Sequence, residues 1–300
     1  MAQKPVRAMA KQTPASGDFA TAAAADFSPA SNVLRDLLNK GRPLVMGVLN
    51  VTPDSFSDGG RFLDPDAAIG QAQKLAAEGA DIIDIGAEST RPYGGAVAVP
   101  LDEERARLSR VLPAVAALGV PVSIDTMKAA VAAWALERGA AMVNDVWGLQ
   151  READMARVVA AHGAPVIIMH NRDAADASLD IIAEVTAFFS RSLEIAWEAG
   201  IARDRIVLDP GIGFGKTPEQ SMTCIARLDA LRDFGLPLLV GASRKRFINT
   251  VAPSAPAERL GGSLAAHLMA VENGAAIVRA HDVAPTVQAL AVAAAIRRAR

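Results

Sequence analysis

Polar and charged residues follow each of eight short apolar runs in this chain, and their types set the chemistry they can do. In order they are Asn50; Glu88, Ser89, Thr90 and Arg91; Asp125; Asn144 and Asp145; Met169 and His170; Asp209; Ser243, Arg244 and Lys245; and Arg279 with His281. For one such residue, capping of the following helix is explanation enough. For all eight it is not, because Arg and Lys do not cap helix N-termini and their charge opposes the positive end of the helix dipole. Arg91, Lys245 and Arg279 together point to an anionic substrate. Asp125, Asn144 and Asp209 indicate that the same substrate also presents N–H donors, since carboxylates accept and an amide can do both.

The glycine-rich stretch Gly211-Ile212-Gly213-Phe214-Gly215-Lys216-Thr217 invites a phosphate-loop reading and fails on spacing. A Walker loop needs Gly where Pro210 stands, and a dinucleotide fingerprint needs a third Gly where Lys216 stands. The stretch reads instead as a tight turn whose backbone approaches a flat ligand, with Phe214 packing nearby. Two long irregular segments, 51–62 and 89–100, read as lids over a site. Zinc-protease, α/β-hydrolase and dithiol signatures do not occur.

The elements that must position these residues show in the periodicity. The apolar runs are 44–49, 81–85, 121–125, 141–144, 165–169, 205–208, 237–240 and 275–278. Little polar alternation within them suits strands buried on both faces. Between them lie Ala- and Leu-rich segments with helix punctuation. Asp64-Pro65 offers an N-cap with Pro at the first helical position, and Thr217-Pro218-Glu219-Gln220 reads as a capping box. Gly79, Gly139, Gly163 and Gly200 stand where helices should end. Eight strand–helix units predict a closed (β/α)8 TIM barrel over residues 31–300, with an open doubly wound sheet as the alternative. In a barrel all the strand ends open on one face, where the loops are free to vary.

Composition narrows the class. The chain has 300 residues, 51% hydrophobic and 21% charged, with a formal net charge of -2. It carries no long basic run, so no nucleic-acid partner is expected. No apolar run reaches the roughly 18 residues of a membrane span, so no membrane partner is expected either. A single cysteine, Cys224, excludes an internal disulfide framework and fits a reducing cytoplasm. Residues 1–30, rich in Ala, Ser and Pro, are expected to form a disordered tail.

The motifs resemble those of one family. Met46-Gly47-Val48-Leu49-Asn50-Val51-Thr52-Pro53-Asp54-Ser55-Phe56-Ser57-Asp58-Gly59-Gly60 is similar to the first signature of dihydropteroate synthases, and Glu88-Ser89-Thr90-Arg91-Pro92 resembles the second. Ser123-Ile124-Asp125-Thr126, Asn144-Asp145-Val146, Met169-His170, Asp209-Pro210-Gly211-Ile212-Gly213-Phe214-Gly215-Lys216, Ser243-Arg244-Lys245 and Arg279-Ala280-His281-Asp282-Val283 follow in the family's order. The resemblance spans roughly residues 43–295. Ala87 departs from it where a Gly is common, and Tyr93 where a smaller residue is usual.

The resemblance implies a pterin-binding barrel and an aryl-transferring reaction. p-Aminobenzoate displaces pyrophosphate from 6-hydroxymethyl-7,8-dihydropterin diphosphate. It implies that Asp209, Asn144 and Lys245 grip the pterin edge, with Met169 and Gly213 against the ring. Arg279 and His281 attend the diphosphate, and Arg279 has a second role available in stacking on the pterin. Asn50 is the expected ligand of Mg²⁺. Asp125 would stabilise positive charge on the ring, while Thr90 and Arg91 close over the substrates. Phe56, Pro92, Phe214 and Ser243 are candidates for the aminobenzoate pocket, which would also take sulfonamide inhibitors. A homodimer is implied as well. The competing readings are a pterin-binding methyltetrahydrofolate:corrinoid methyltransferase and a non-catalytic pterin-binding paralogue.

Overall fold

The apolar runs become eight parallel strands: β1 (Leu44–Asn50), β2 (Ile82–Gly86), β3 (Val122–Asp125), β4 (Met142–Asp145), β5 (Val166–Met169), β6 (Ile206–Asp209), β7 (Leu238–Val240) and β8 (Ala275–Ala280). β1 pairs with β2 on one side and with β8 on the other, so the sheet closes into a barrel in sequence order. Closure excludes the open-sheet alternative. The computed structural model describes residues 32–52, 64–88 and 98–299. The tail expected over residues 1–30 lies outside them, as does most of both expected lids.

Helices follow the strands around the outside: α2 (Pro65–Ala77), α3 (Leu101–Ser109), α4 (Val111–Ala116), α5 (Ala129–Leu136), α6 (Met155–His162), α7 (Ile181–Glu198), α8 (Pro218–Ala226), α9 (Arg246–Val251), α10 (Leu260–Glu272) and α11 (Val283–Arg298). Their ends obey local chemistry. Asp64 accepts the Asp66 N–H ahead of Pro65, and Thr217 and Gln220 form a reciprocal capping box. No described helix is long and apolar enough to cross a membrane.

Side chains alternate along a strand, so every second residue of each strand points into the barrel. Leu44, Met46, Ile82, Met142, Ile167, Val207, Leu239 and Ile277 form a separate buried cluster there. Leu34 and Leu37 join it from α1 (Val33–Leu38), a short helix the periodicity did not announce. Asn32 caps α1 and donates to the carbonyl and carboxylate of Asp204, tying the helix across the lower end of the barrel. Nearby, Asp81 takes the Val45 N–H, Lys40 and Arg42, and these partners hold its carboxyl below the usual range despite burial. The lower mouth is thus stoppered by leucine and sealed by charge pairs.

Two residues further along the same inward-facing rows, the character reverses. Above Met46 comes Val48 and then Asn50. Above Ile82 comes Asp84, and above Ser123 comes Asp125. Asn144, Met169, Asp209, Gly241 and Arg279 complete the ring. One pleat separates an apolar plug from a polar layer.

Candidate active site

The polar layer is organised around Arg279 on β8. Its Nε donates to Asp84 Oδ2 at 2.7 Å and its Nη2 to Asp125 Oδ2 at 3.1 Å. Asn144 Nδ2 donates to the same Asp84 oxygen at 3.0 Å. Burial works against the guanidinium charge, but the facing Asp84 and Asp125 outweigh it and raise the Arg279 pKa. Burial, and then the neighbouring Asp84, push Asp125 well above the usual carboxylate range. The second oxygens of both acids, Asp84 Oδ1 and Asp125 Oδ1, are buried without a hydrogen-bond partner among the described residues. So are Asn144 Oδ1 and Ser123 Oγ. Three of these four atoms are pure acceptors, a costly arrangement unless a ligand brings N–H donors.

Across the barrel, Asp209 ends β6 and is almost completely buried. Burial raises its pKa to about 6, although the Gly211 N–H at 2.7 Å, Lys245, Lys216 and Arg279 all pull the other way. The following turn runs through two positions that need glycine. Gly211 has φ +67°, and a Cβ there would lie 1.9 Å from the His170 carbonyl oxygen. Gly213 has φ +80°, with its Cβ position 3.4 Å from Lys245 Cδ. The turn delivers Phe214, whose ring centroid lies 4.1 Å from the Lys245 Nζ. Lys245, Phe214, Gly213 and Asp209 are therefore one assembly.

Ser243 and His281 are also joined. Ser243 Oγ lies 3.0 Å from His281 Nδ1 and accepts the His281 N–H at 3.2 Å. Burial first, then Arg279, Arg244 and Lys245, depress His281 to about 3, so it serves as a neutral imidazole. Between Ser243 and Lys245 the chain passes through Arg244 at φ +58°. A left-handed arginine needs support. It has the Ser263 hydroxyl on its N–H and the Asp282 carboxylate on its guanidinium.

Asn50 closes β1 half-buried, opposite Gly86 in register, and its amide has no hydrogen bond to another described residue. Met169 is buried in the inward row of β5, where it floors the site. Asp145 turns away, since its carboxylate takes the Trp147 and Leu149 N–H groups. Thr90, Arg91, Phe56 and Pro92 lie outside the described residues. Glu88, the last described residue before Ser89, pairs with Lys128, which also pairs with the fully buried Glu104.

Two contributors escaped the sequence reading. Asp84 sits inside an apolar run and was counted as strand. The available signal was an acid in the middle of a strand buried on both faces, which requires a partner. Lys216 closes both the rejected phosphate-loop pattern and the sixth family motif, and neither gives it a role of its own. It is 1% exposed and reaches back to His170.

Known proteins share this arrangement. The family of pterin-binding enzymes matches residues 46–281. The dihydropteroate synthase of Bacillus subtilis is 44% identical over 248 residues, covering 81% of this chain and 85% of its own length. Among solved structures, the Clostridium difficile dihydropteroate synthase, determined in the presence of pteroic acid, superposes with a TM-score of 0.82 at 46% identity. It covers 86% of this chain and 97% of its own. The Xanthomonas albilineans enzyme with 4-aminobenzoic acid gives 0.81 at 44%, over 85% and 93% of the two chains. With eight strands, a polar ring and extensive identity in agreement, the chain belongs to the pterin-binding enzyme family and, within it, to the dihydropteroate synthases.

Proposed function

We propose that this chain joins 6-hydroxymethyl-7,8-dihydropterin diphosphate to p-aminobenzoate, releasing pyrophosphate and 7,8-dihydropteroate. The observation that carries this reading is the polar layer itself. Buried acceptors on Asp84, Asp125, Asn144 and Asp209 share one pleat of the barrel with Arg279, and Lys245 stands beside them. A pterin edge offers N–H donors and a carbonyl. The Asp209 carboxylate accepts from the guanidine-like edge, Asn144 accepts and donates along it, and Lys245 donates to the ring carbonyl. Arg279, held in plane by two carboxylates, presents its flat face to a ring.

In the reaction the C–O bond to the diphosphate breaks and pyrophosphate leaves with the electron pair. The anionic ring of acids, Asp125 foremost, stabilises the positive charge left on the pterin methylene. The aminobenzoate nitrogen then forms the new C–N bond and sheds a proton to solvent. His281, neutral and seated on Ser243, donates to the departing oxygens, with Thr90 and Arg91 assigned to closure over them. Phe214 and Ser243 are assigned to the pocket for p-aminobenzoate and for sulfonamides, which carry the same aryl amine; Phe56 and Pro92, expected beside them, lie outside the described residues.

The residues fit Mg²⁺ held mainly by the substrate. No group of three or more His, Cys, Asp or Glu suited to a metal occurs among the described residues. Mg²⁺ on a diphosphate needs few protein ligands, and the Asn50 amide oxygen suits one. When bound, the ion neutralises charge on the leaving pyrophosphate. The enzyme is assigned to the cytoplasm and to a homodimer. For the dimer, the exposed Met269 on α10 and the exposed Val292 and Ile296, four residues apart on the neighbouring α11, are the surface we assign to a second copy.

Purified protein given the pterin diphosphate, labelled p-aminobenzoate and Mg²⁺ should yield labelled dihydropteroate. No product under these conditions would sink the assignment, and equal rates in excess EDTA would remove the metal.

A further inference from the structure

Lys216 is a buried cation outside the polar ring. Few lysines are buried this deeply without a specific partner. Its ammonium donates to His170 Nδ1 at 2.5 Å and to the Phe214 carbonyl at 3.1 Å. His170 is fully buried, and burial with Lys216 beside it lowers its pKa to about 2, so the imidazole is neutral and Nδ1 accepts. The His170 backbone N–H donates to the Asp209 carbonyl at 2.9 Å, and its ring stands edge-on to Phe188, 4.8 Å between centroids. The turn after β6 is thus tied from both sides. Ser221 Oγ on α8 accepts the Gly213 N–H at 3.2 Å, and Lys216 holds the Phe214 carbonyl from beneath.

We propose that Lys216 is a positioning residue for the heterocycle pocket: clamped between His170 and the Phe214 carbonyl, it sets the turn that places the Phe214 ring under Lys245. The proposal rests on the pterin reading of the site. It adds that the grip on the heterocycle depends on a residue that never touches it. The charges facing Lys216 are Asp209 from β6, Arg172 beyond β5, Glu184 from α7 and the Cys224 thiol from α8. Those facing Asp209 are Lys245, Lys216 and Arg279. Burial brings Lys216 down to about 8, so it is mostly charged at neutral pH and helps to keep Asp209 ionised.

Lys216→Met keeps the shape and removes the clamp. It should raise KM for the pterin diphosphate roughly tenfold and, because Phe214 also lines the aminobenzoate pocket, raise KM for p-aminobenzoate as well. The acid limb of kcat/KM should move to higher pH as Asp209 loses a favourable charge. A KM for the pterin diphosphate within about twofold of normal, or an acid limb that stays in place, overturns the proposal. If that variant does not fold, a His170 pair decides. The amide oxygen of His170→Asn still accepts from the ammonium, so this variant should bind 6-hydroxymethylpterin close to normally. His170→Leu should bind it roughly tenfold more weakly. Equal affinities contradict the clamp. In the unaltered protein, ¹⁵N spectra should show His170 protonated at Nε2, and an Nδ1–H tautomer refutes it. Failure of the wild-type chain to bind any pterin would instead strike the assignment of the substrate.

Discussion

Each acid in the ring has a separate physical assignment, so each has a separate signature. Asp209 accepts N–H donors on both oxygens at once only when ionised, and burial lifts its pKa to about 6. As pH falls through that value the carboxylate gains a proton and loses the pterin edge. The rate constant kcat/KM for the pterin diphosphate should therefore fall about tenfold per unit below pH about 6, a limb set by the free enzyme. Asp209→Asn should lose roughly 100-fold or more in pterin affinity, which calorimetry will read. Asp84→Asn probes the other side of the barrel. It leaves Arg279 with Asp125 as its one remaining acid partner among the described residues. Breaking a buried pair from one side should cost about 3 kcal/mol in urea unfolding. The same substitution removes a like charge from Asp125, whose pKa should drop in a carbon-detected titration.

The turn after β6 shows how far an element can be inferred from spacing and where inference stops. Gly211→Ala places a methyl against the His170 carbonyl in a left-handed conformation, and the backbone has nowhere to retreat. It should cost on the order of 3 kcal/mol or more in a thermal melt and abolish pterin binding. The tight turn was legible because glycines recur at alternate positions between a strand end and a capping box, but its close approach is to the His170 carbonyl, which the spacing did not announce. The eight strands were legible because both of their faces are buried, which leaves long unbroken apolar signals in 44–49 or 165–169. Helix α1 was not. Six residues with two buried leucines have too little length to show a period. Asp84 was hidden for the opposite reason, since isoleucines on either side disguise an inward-facing carboxylate. The Lys216–His170 contact joins residues 46 positions apart, and no local pattern records it.

At the scale of the whole molecule, stability and chemistry occupy opposite ends of one tube. Leu34→Ala empties part of the lower plug and should cost about 3 kcal/mol in denaturant while leaving both KM values unchanged. A Val292→Glu, Ile296→Glu double substitution should yield monomers in sedimentation if the α11 face meets a second copy. The stopper formed by α1 has a further consequence. A vessel sealed at its base has a single doorway, and everything that reacts inside must pass through it in turn. The heterocycle that reaches the depth of Asp84 and Asn144 has to arrive before anything seated nearer the rim. Spent pyrophosphate has to leave through the same opening that admits the second reactant. The order of traffic is written in the apolar layer beneath the ring, which no reactant ever meets.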